Sequence, residues 1–323
     1  MTSLAQVTAL VDAHVNRDYA RFRAVVLQIA ANIEARSERG ADQLRKLVDQ
    51  QQATAFVPLP SASGLLSTPP DLASFDDMVL SEGIRSLLDR VVLEYSQRDV
   101  LLVHGLRPAR KLLFTGPPGV GKTMAAGALA RAIELPLFRV ELHEVIASHL
   151  GETASKLAKV FDHVRTMPAV YLFDEFDALG SDRSSHSDGS SAGSEMRRVV
   201  NSLLQFIEDD RSNSVIVGAT NHGGMLDSAI FRRFDEVVAF TAPSLEELVE
   251  LTRRSLAEGD PADLDFSAIY SAVANPKLGH ADVCAAFDRV LKDHFLTGAA
   301  IDTPRVVAAI VRRTHAVRPE VLA

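Results

Sequence analysis

Two short stretches of this chain carry residue types and spacings that can do chemistry. The first is Gly116-Pro117-Pro118-Gly119-Val120-Gly121-Lys122-Thr123, a G-x-x-x-x-G-K-T pattern, with Met124 next in line. Glycines so spaced let successive backbone N–H groups converge on one point, and a lysine and a hydroxyl stand at the end of the run. That set suits a chain of phosphates: Lys122 would reach the β- and γ-phosphates, and Thr123 would ligate Mg2+. The second stretch is Asp174-Glu175, two acids that close the apolar run Val170-Tyr171-Leu172-Phe173. Downstream of such a loop, Asp174 would hold Mg2+ through its water shell, and Glu175 would orient and polarise an attacking water as general base. Asn221 ends another apolar run, where its carboxamide can reach the γ-phosphate or that water; the same spacing also suits a loop-turning Asn. Arg232-Arg233, beside Phe234-Asp235, are either a solvated pair or a source of positive charge for a phosphate.

These residues need elements to hold them. Leu112-Leu113-Phe114 reads as a buried strand before the glycine loop, and the Ala-rich stretch after it as a helix. Strand, loop and helix in that order are the context of a phosphate loop, and the helix N-terminus adds positive potential there. Onward from residue 75, helical and strand patterns alternate: helix at 81–103, strand at 137–140, mostly helix over 142–165, strand at 169–173, helix at 194–208, strands at 214–219 and 237–240. Alternation of this kind predicts a parallel sheet covered by helices on both faces. After Pro243 the strands stop. Ser244-x-x-Glu247 is a capping box that opens a helix, and further helices are expected near 265–273, 280–297 and 304–314, the last with Thr303 as cap and Pro304 at its first position. Upstream, residues 4–52 carry helical spacing, and 53–74, with Pro58, Pro60, Pro69 and Pro70 among serines, has linker composition. The expected fold class is α/β, a P-loop parallel-sheet core with a C-terminal α-helical lid and a small N-terminal α-helical domain. The expected boundaries are 1–52 for an N-terminal docking module, 53–74 for a linker, 75–242 for the α/β part and 243–323 for the lid.

Composition excludes several alternatives. The 323 residues are 47% hydrophobic, which supports large cores and argues against disorder. No run of eighteen apolar residues predicts a membrane span, and Met1-Thr2-Ser3-Leu4-Ala5 lacks the basic flank of a secretory signal. Cys284 is the one cysteine, so no disulfide can form within the chain and the cytoplasm is the expected compartment. The net charge of −8 disfavours nucleic acid as a partner. The histidines show no metal-ligand spacing, and Ser185, His186 and Asp188 are loop neighbours with nothing to hold a hydrolytic triad.

Taken together, the motifs resemble those of the AAA ATPases, in the branch that holds protein unfoldases and microtubule-severing and membrane-remodelling relatives. Residues 116–123 match Walker A, 170–175 match Walker B and Asn221 matches sensor 1. The stretch 221–235 resembles the second region of homology, and Gly279-His280-Ala281-Asp282 the lid's Gly-x-Ser-Gly-Ala-Asp segment. Glu195-x-Arg197-Arg198 resembles the helix at the subunit interface. The resemblance runs from about Phe75 to about Leu296. It implies Mg2+-dependent ATP hydrolysis in a homo-oligomeric ring, commonly a hexamer, with ATP between subunits. Arg232 and Arg233 would then reach the neighbour's ATP; Arg233 aligns best with the second family finger, and the loop before it is shorter than the family's usual spacing. Adenine contacts are expected from segment 75–80, His104-Gly105 and the lid at Gly279 and His280. The central-pore loop corresponds to His149-Leu150-Gly151, where histidine replaces the family's aromatic residue, and 180–193 lies where the second pore loop would be. Two functions fit: an ATP-driven remodeller or unfoldase of a protein substrate, and an ATP-state switch that regulates a partner enzyme such as a protease or defence effector.

Overall fold

Uninterrupted apolar runs become the middle of a sheet. The computed structural model describes residues 62, 64–69, 72–146, 150–176, 191–225, 228–259, 261, 263–274 and 277–317, and near the N-terminus Thr8, Val25, Val26, Gln28, Ile29 and Ala30. The chain divides into Met1–Val57 and Pro58–Ala323. Of the first unit the described residues are helical, with Val26 and Ala30 buried; the rest of the expected helical module lies outside the described residues.

In the second unit the strands are Leu66–Ser67 (β1), Lys111–Thr115 (β2), Leu137–Val140 (β3), Val170–Phe173 (β4), Val215–Thr220 (β5) and Glu236–Ala239 (β6). Their order is β1-β3-β4-β5-β2-β6. Strands β4 and β5 are buried throughout and β2 almost so, as strands covered on both faces must be. All pairings are parallel except that of β1 with β3. Within the stretch 53–74, expected as linker, Leu66 and Ser67 form this edge strand instead. Leu65 and Leu66 are buried, Glu141 N–H donates to Leu65 O at 2.9 Å and Ser67 Oγ bonds the Glu141 carboxylate. Two leucines suffice for a short edge, and the prolines and serines around them masked it.

From β2 the chain crosses to β3 on one side, and from β5 it crosses to β6 on the other side of β2. The carboxyl ends of β2 and β5 therefore form a switch point, where connections leave in opposite directions and a crevice opens. The helices of this part are Glu82–Ser96 (α1), Arg98–Val103 (α2), Lys122–Ala132 (α3), Leu142–Ile146 (α4), Leu150–Thr166 (α5), Ser191–Asp209 (α6) and Ser228–Phe231 (α7). The helix expected over 81–103 is broken at Gln97, whose N–H caps Leu93 O. Ser191–Gly193, expected in a loop, form the first turn of α6. Leu88 and Val91 of α1 and Ala126 and Leu129 of α3 share a core with Phe114, Leu172 and Val217 on one face of the sheet. On the other face Phe161 of α5 stacks with Phe173 (5.9 Å) and with Phe206 of α6 (5.0 Å).

The C-terminal helices are Leu245–Leu256 (α8), Phe266–Ala274 (α9), His280–Thr297 (α10) and Thr303–Val317 (α11), around a core that includes Leu248, Ile269, Val283, Phe287 and Ile310. The capping box at Ser244 and Glu247 forms as expected. The cap of α11 does not: Asp302 Oδ1 accepts from Arg305 N–H at 3.0 Å, whereas Thr303 Oγ1 accepts from Asp265 N–H at 2.8 Å. Either side chain can cap a helix, and tertiary contact with Asp265 draws Thr303 away.

Candidate active site

The glycine loop leaves β2 at Thr115 and enters α3 at Lys122. Its backbone is left-handed or beyond at Gly116 (φ 142°), Gly119 (φ 76°) and Gly121 (φ 96°). Gly116 is also sterically obligatory, since a Cβ there would stand 2.1 Å from the Phe240 carbonyl oxygen just past β6. Lys122 is buried at the start of α3, and its Nζ donates to Gly116 O (2.7 Å), Pro117 O (2.8 Å) and Asn221 Oδ1 (2.9 Å). The ammonium thus sits inside the curl of the loop and ties it to the tip of β5. Phosphate oxygens arriving there would replace neutral carbonyls with charged acceptors, which make stronger bonds to the same ammonium.

Asp174 follows β4, next to this loop because β4 pairs with β5 and β5 with β2. Thr123 Oγ1 donates to Asp174 Oδ2 at 2.9 Å. A hydroxyl and a carboxylate thus converge beside the loop; these are hard oxygen donors, and Mg2+ takes one or two such groups while keeping its waters. The residues present therefore fit Mg2+. Glu175 is exposed with φ 54°, and its N–H donates to Asp174 Oδ1 at 2.9 Å. A non-glycine residue held left-handed costs on the order of 1 kcal/mol or more and marks places where direction matters more than stability. Here the local bond to Asp174 holds the turn that points Glu175 off the end of the strand. Arg139 of β3 comes 3.7 Å from Asp174 Oδ2.

The C-terminal helices close on the same loop. Ala281 N–H donates to Gly119 O at 2.9 Å. A Cβ on Gly279 would meet Pro118 O and Gly119 O at 2.8 Å, so backbone packs on backbone there. Arg254 Nη1 of α8 donates to Asp76 O at 2.6 Å, fastening the turn Phe75–Asp77, and Met78 Cε reaches the α-carbon side of Gly121. Segment 75–80, the loop and the lid at Gly279 are thereby brought together. His280 has both ring nitrogens buried without a hydrogen-bond partner among the described residues, and burial lowers its pKa against the opposing pull of Glu247. His104 is an exposed residue at the end of α2, and no described contact joins it to these segments.

Arg232 and Arg233 are not part of this cluster. They precede β6, which runs parallel to β2 with Leu112 opposite Glu236 and Thr115 opposite Ala239. The arginines therefore lie at the amino end of the sheet and the glycine loop at its carboxyl end, roughly 15 Å apart at the rise of an extended strand. The turn that presents them is well anchored. Phe234 is buried, with its ring edge against Phe176 (centroids 6.0 Å apart) and its tip against Gly218, where a Cβ would stand 3.2 Å away. Asp235 Oδ2 accepts the N–H groups of Arg110 (3.0 Å) and Lys111 (2.9 Å). Arg233 Nε lies 2.8 Å from Glu208 Oε2 of α6, an ion pair without an aligned hydrogen bond; Arg232 is exposed.

Of the expected pore-loop residues, His149 and 180–190 lie outside the described residues, whereas Leu150 opens α5 and 191–193 open α6. Sequence reasoning missed Arg139 and Arg254. The first has a legible signal, a lone charge in an otherwise apolar strand, and the second acts through backbone carbonyls, which leave no side-chain pattern.

A family model described as ATPase family associated with various cellular activities (AAA) matches residues 112–242. The AAA family ATPase y4kL of Sinorhizobium fredii is 42% identical over 234 residues, 69% of this chain and 69% of that protein. A putative 26S proteasome regulatory subunit homolog of Methanothermobacter marburgensis is 33% identical over 200 residues, 61% of this chain; the chain spans 52% of that relative's length. The crystal structure of the FIGL-1 AAA domain superposes with a TM-score of 0.57 at 23% identity, over 79% of this chain and 87% of that one, a likeness of fold.

Proposed function

The chain belongs to the AAA family of ATPases, and we propose that its copies join head to tail in a hexameric ring that hydrolyses Mg2+-ATP between subunits and remodels or unfolds a protein substrate. One observation carries the assembly: Arg232 and Arg233 stand at the opposite end of β2 and β6 from the glycine loop of their own chain. They are too far to serve it, yet Phe234 and Asp235 hold them on a rigid turn. A heterologous contact that places this turn at the next copy's loop completes a site and closes into a ring. The protein substrate is supported by the likeness to a proteasome regulatory subunit homolog and by the place of His149 and Leu150 in the sequence.

In this mechanism the loop N–H groups and Lys122 bind and orient the phosphates. Thr123 and Asp174 would hold Mg2+, which would supply positive charge beside the phosphates. Glu175 takes the proton of the attacking water, and Asn221, already on Lys122 Nζ, fixes where the γ-phosphate end of the loop stands. Gly279 and His280 wall the base, and an arginine of the neighbour stabilises the charge that develops on transfer.

The test is complementation. Lys122→Ala and the double variant Arg232→Ala/Arg233→Ala should each be inactive alone. Mixed, they form some interfaces with an intact loop on one side and intact arginines on the other, so ATPase activity should reappear. A mixture that co-assembles by light scattering yet stays inactive would refute sharing of the site between copies.

A further inference from the structure

Strand β3 is buried at Leu137, Phe138 and Val140 and exposed only at Arg139. Its register explains where the guanidinium goes. Arg139 pairs with Leu172, and Asp174 is two residues further along the same face of the neighbouring strand, a diagonal that a long side chain spans. The side chain is 44% exposed and that of Asp174 16%, and Arg139 Nη2 approaches Asp174 Oδ2 without reaching hydrogen-bond distance. That oxygen is the one that also takes the Thr123 hydroxyl. A monovalent cation therefore stands beside the pair of oxygens that fits a divalent one.

We propose that Arg139 is a resident counter-ion of Asp174 that competes with the divalent cation. The inference rests on the reading of Asp174 and Thr123 as the metal pair. Without metal, Arg139 offsets the carboxylates of Asp174 and Glu175, which would otherwise repel a nucleotide's phosphates. When a divalent ion arrives, the like charge of the guanidinium raises the concentration needed to hold it, and the half-exposed side chain has room to turn toward solvent. Arg139 thus sets the metal requirement without touching the reacting atoms.

The experiment measures binding, not turnover. In a Glu175→Gln background, affinity for a fluorescent ATP analogue is measured in EDTA and then across a Mg2+ titration. A half-exposed ion pair of this kind corresponds to about a fivefold change in an equilibrium constant. Arg139→Ser should weaken binding in EDTA by about that factor and lower the Mg2+ midpoint by a similar factor. Arg139→Lys should move both in the same direction by less, and serves alone if the serine variant does not fold. A Mg2+ midpoint that is unchanged or raised overturns the proposal. Lys122→Ala in the same assay separates the two readings: retained nucleotide binding there would sink the phosphate loop itself, whatever Arg139 does.

Discussion

The two ends of the sheet are built on different principles. At the carboxyl end, functional side chains hold one another: Lys122 bonds Asn221, Thr123 bonds Asp174, and Asp174 bonds the Glu175 backbone. Glycines there let backbone approach backbone. At the amino end, buried charge does the fastening. Arg110 pairs with Asp210, both buried, Lys111 Nζ donates to Glu208 O at 3.2 Å and Asp235 bridges two strand N–H groups. A buried ion pair adds little net stability relative to apolar packing, but it fixes geometry. On the proposed mechanism the difference teaches that one end is a site and the other a mount, on which Arg232 is exposed with no ion pair or hydrogen bond among the described residues.

If that contrast holds, removing a group from the site should remove binding, while loosening the mount should spare binding and slow turnover. The largest effect is expected for Lys122→Ala, which takes away the ammonium at the centre of the loop. Nucleotide affinity should fall by about a hundredfold or more, the scale of two charge-assisted bonds lost, measured by equilibrium binding of ATP. Next is Phe234→Leu, which shortens the ring wedged between Gly218 and Phe176. A fit this close tolerates a change of shape at about 1 kcal/mol, so the fold should survive. ATP affinity should stay within about twofold, while turnover at fixed subunit concentration falls about tenfold because the arginine turn is no longer held in place. Equal losses in affinity and turnover would erase the distinction between site and mount.

Much of the site end was legible because its chemistry needs fixed spacings. Gly116 to Thr123, Asp174 and Asn221 are brought together as their pattern implies, and the parallel sheet follows from apolar runs alternating with helices. The mount end was legible only as two arginines before a phenylalanine and an aspartate. What Asp235 does depends on the pairing of β2 with β6, a long-range fact that no local window contains. The same holds for Arg139, whose meaning comes from standing opposite Leu172, and for Thr303, whose capping role passed to Asp302 once Asp265 arrived across the fold. Edge strand β1 was lost for a compositional reason, since two leucines carry little weight among prolines and serines.

Each end also holds a histidine whose pKa burial lowers, and they should differ in how strongly they couple to folding. His163 of α5 is fully buried and its Nδ1 shares a hydrogen bond with the Tyr171 hydroxyl, which also bonds Met167 O. With Nδ1 carrying the proton toward Tyr171, Nε2 is left as a lone pair without a partner, which costs little while neutral. Protonation would place a charge and an unmatched N–H in the core. The unfolded chain takes up that proton near its ordinary value of 6.5, whereas the folded chain resists it. The unfolded state therefore binds more protons below that pH, and stability is full above it and declines as pH falls through and below it. His280 keeps part of its surface in solvent, although both ring nitrogens are covered, and Glu247 pulls its pKa back up, so its share is smaller. Melting temperature should thus fall between pH 7 and pH 5. His163→Leu should flatten that fall more than His280→Leu, although the lost Tyr171 contact lowers the whole curve of the first variant. A steeper slope in either variant, or a larger flattening from His280→Leu, would reverse this ordering of the two ends.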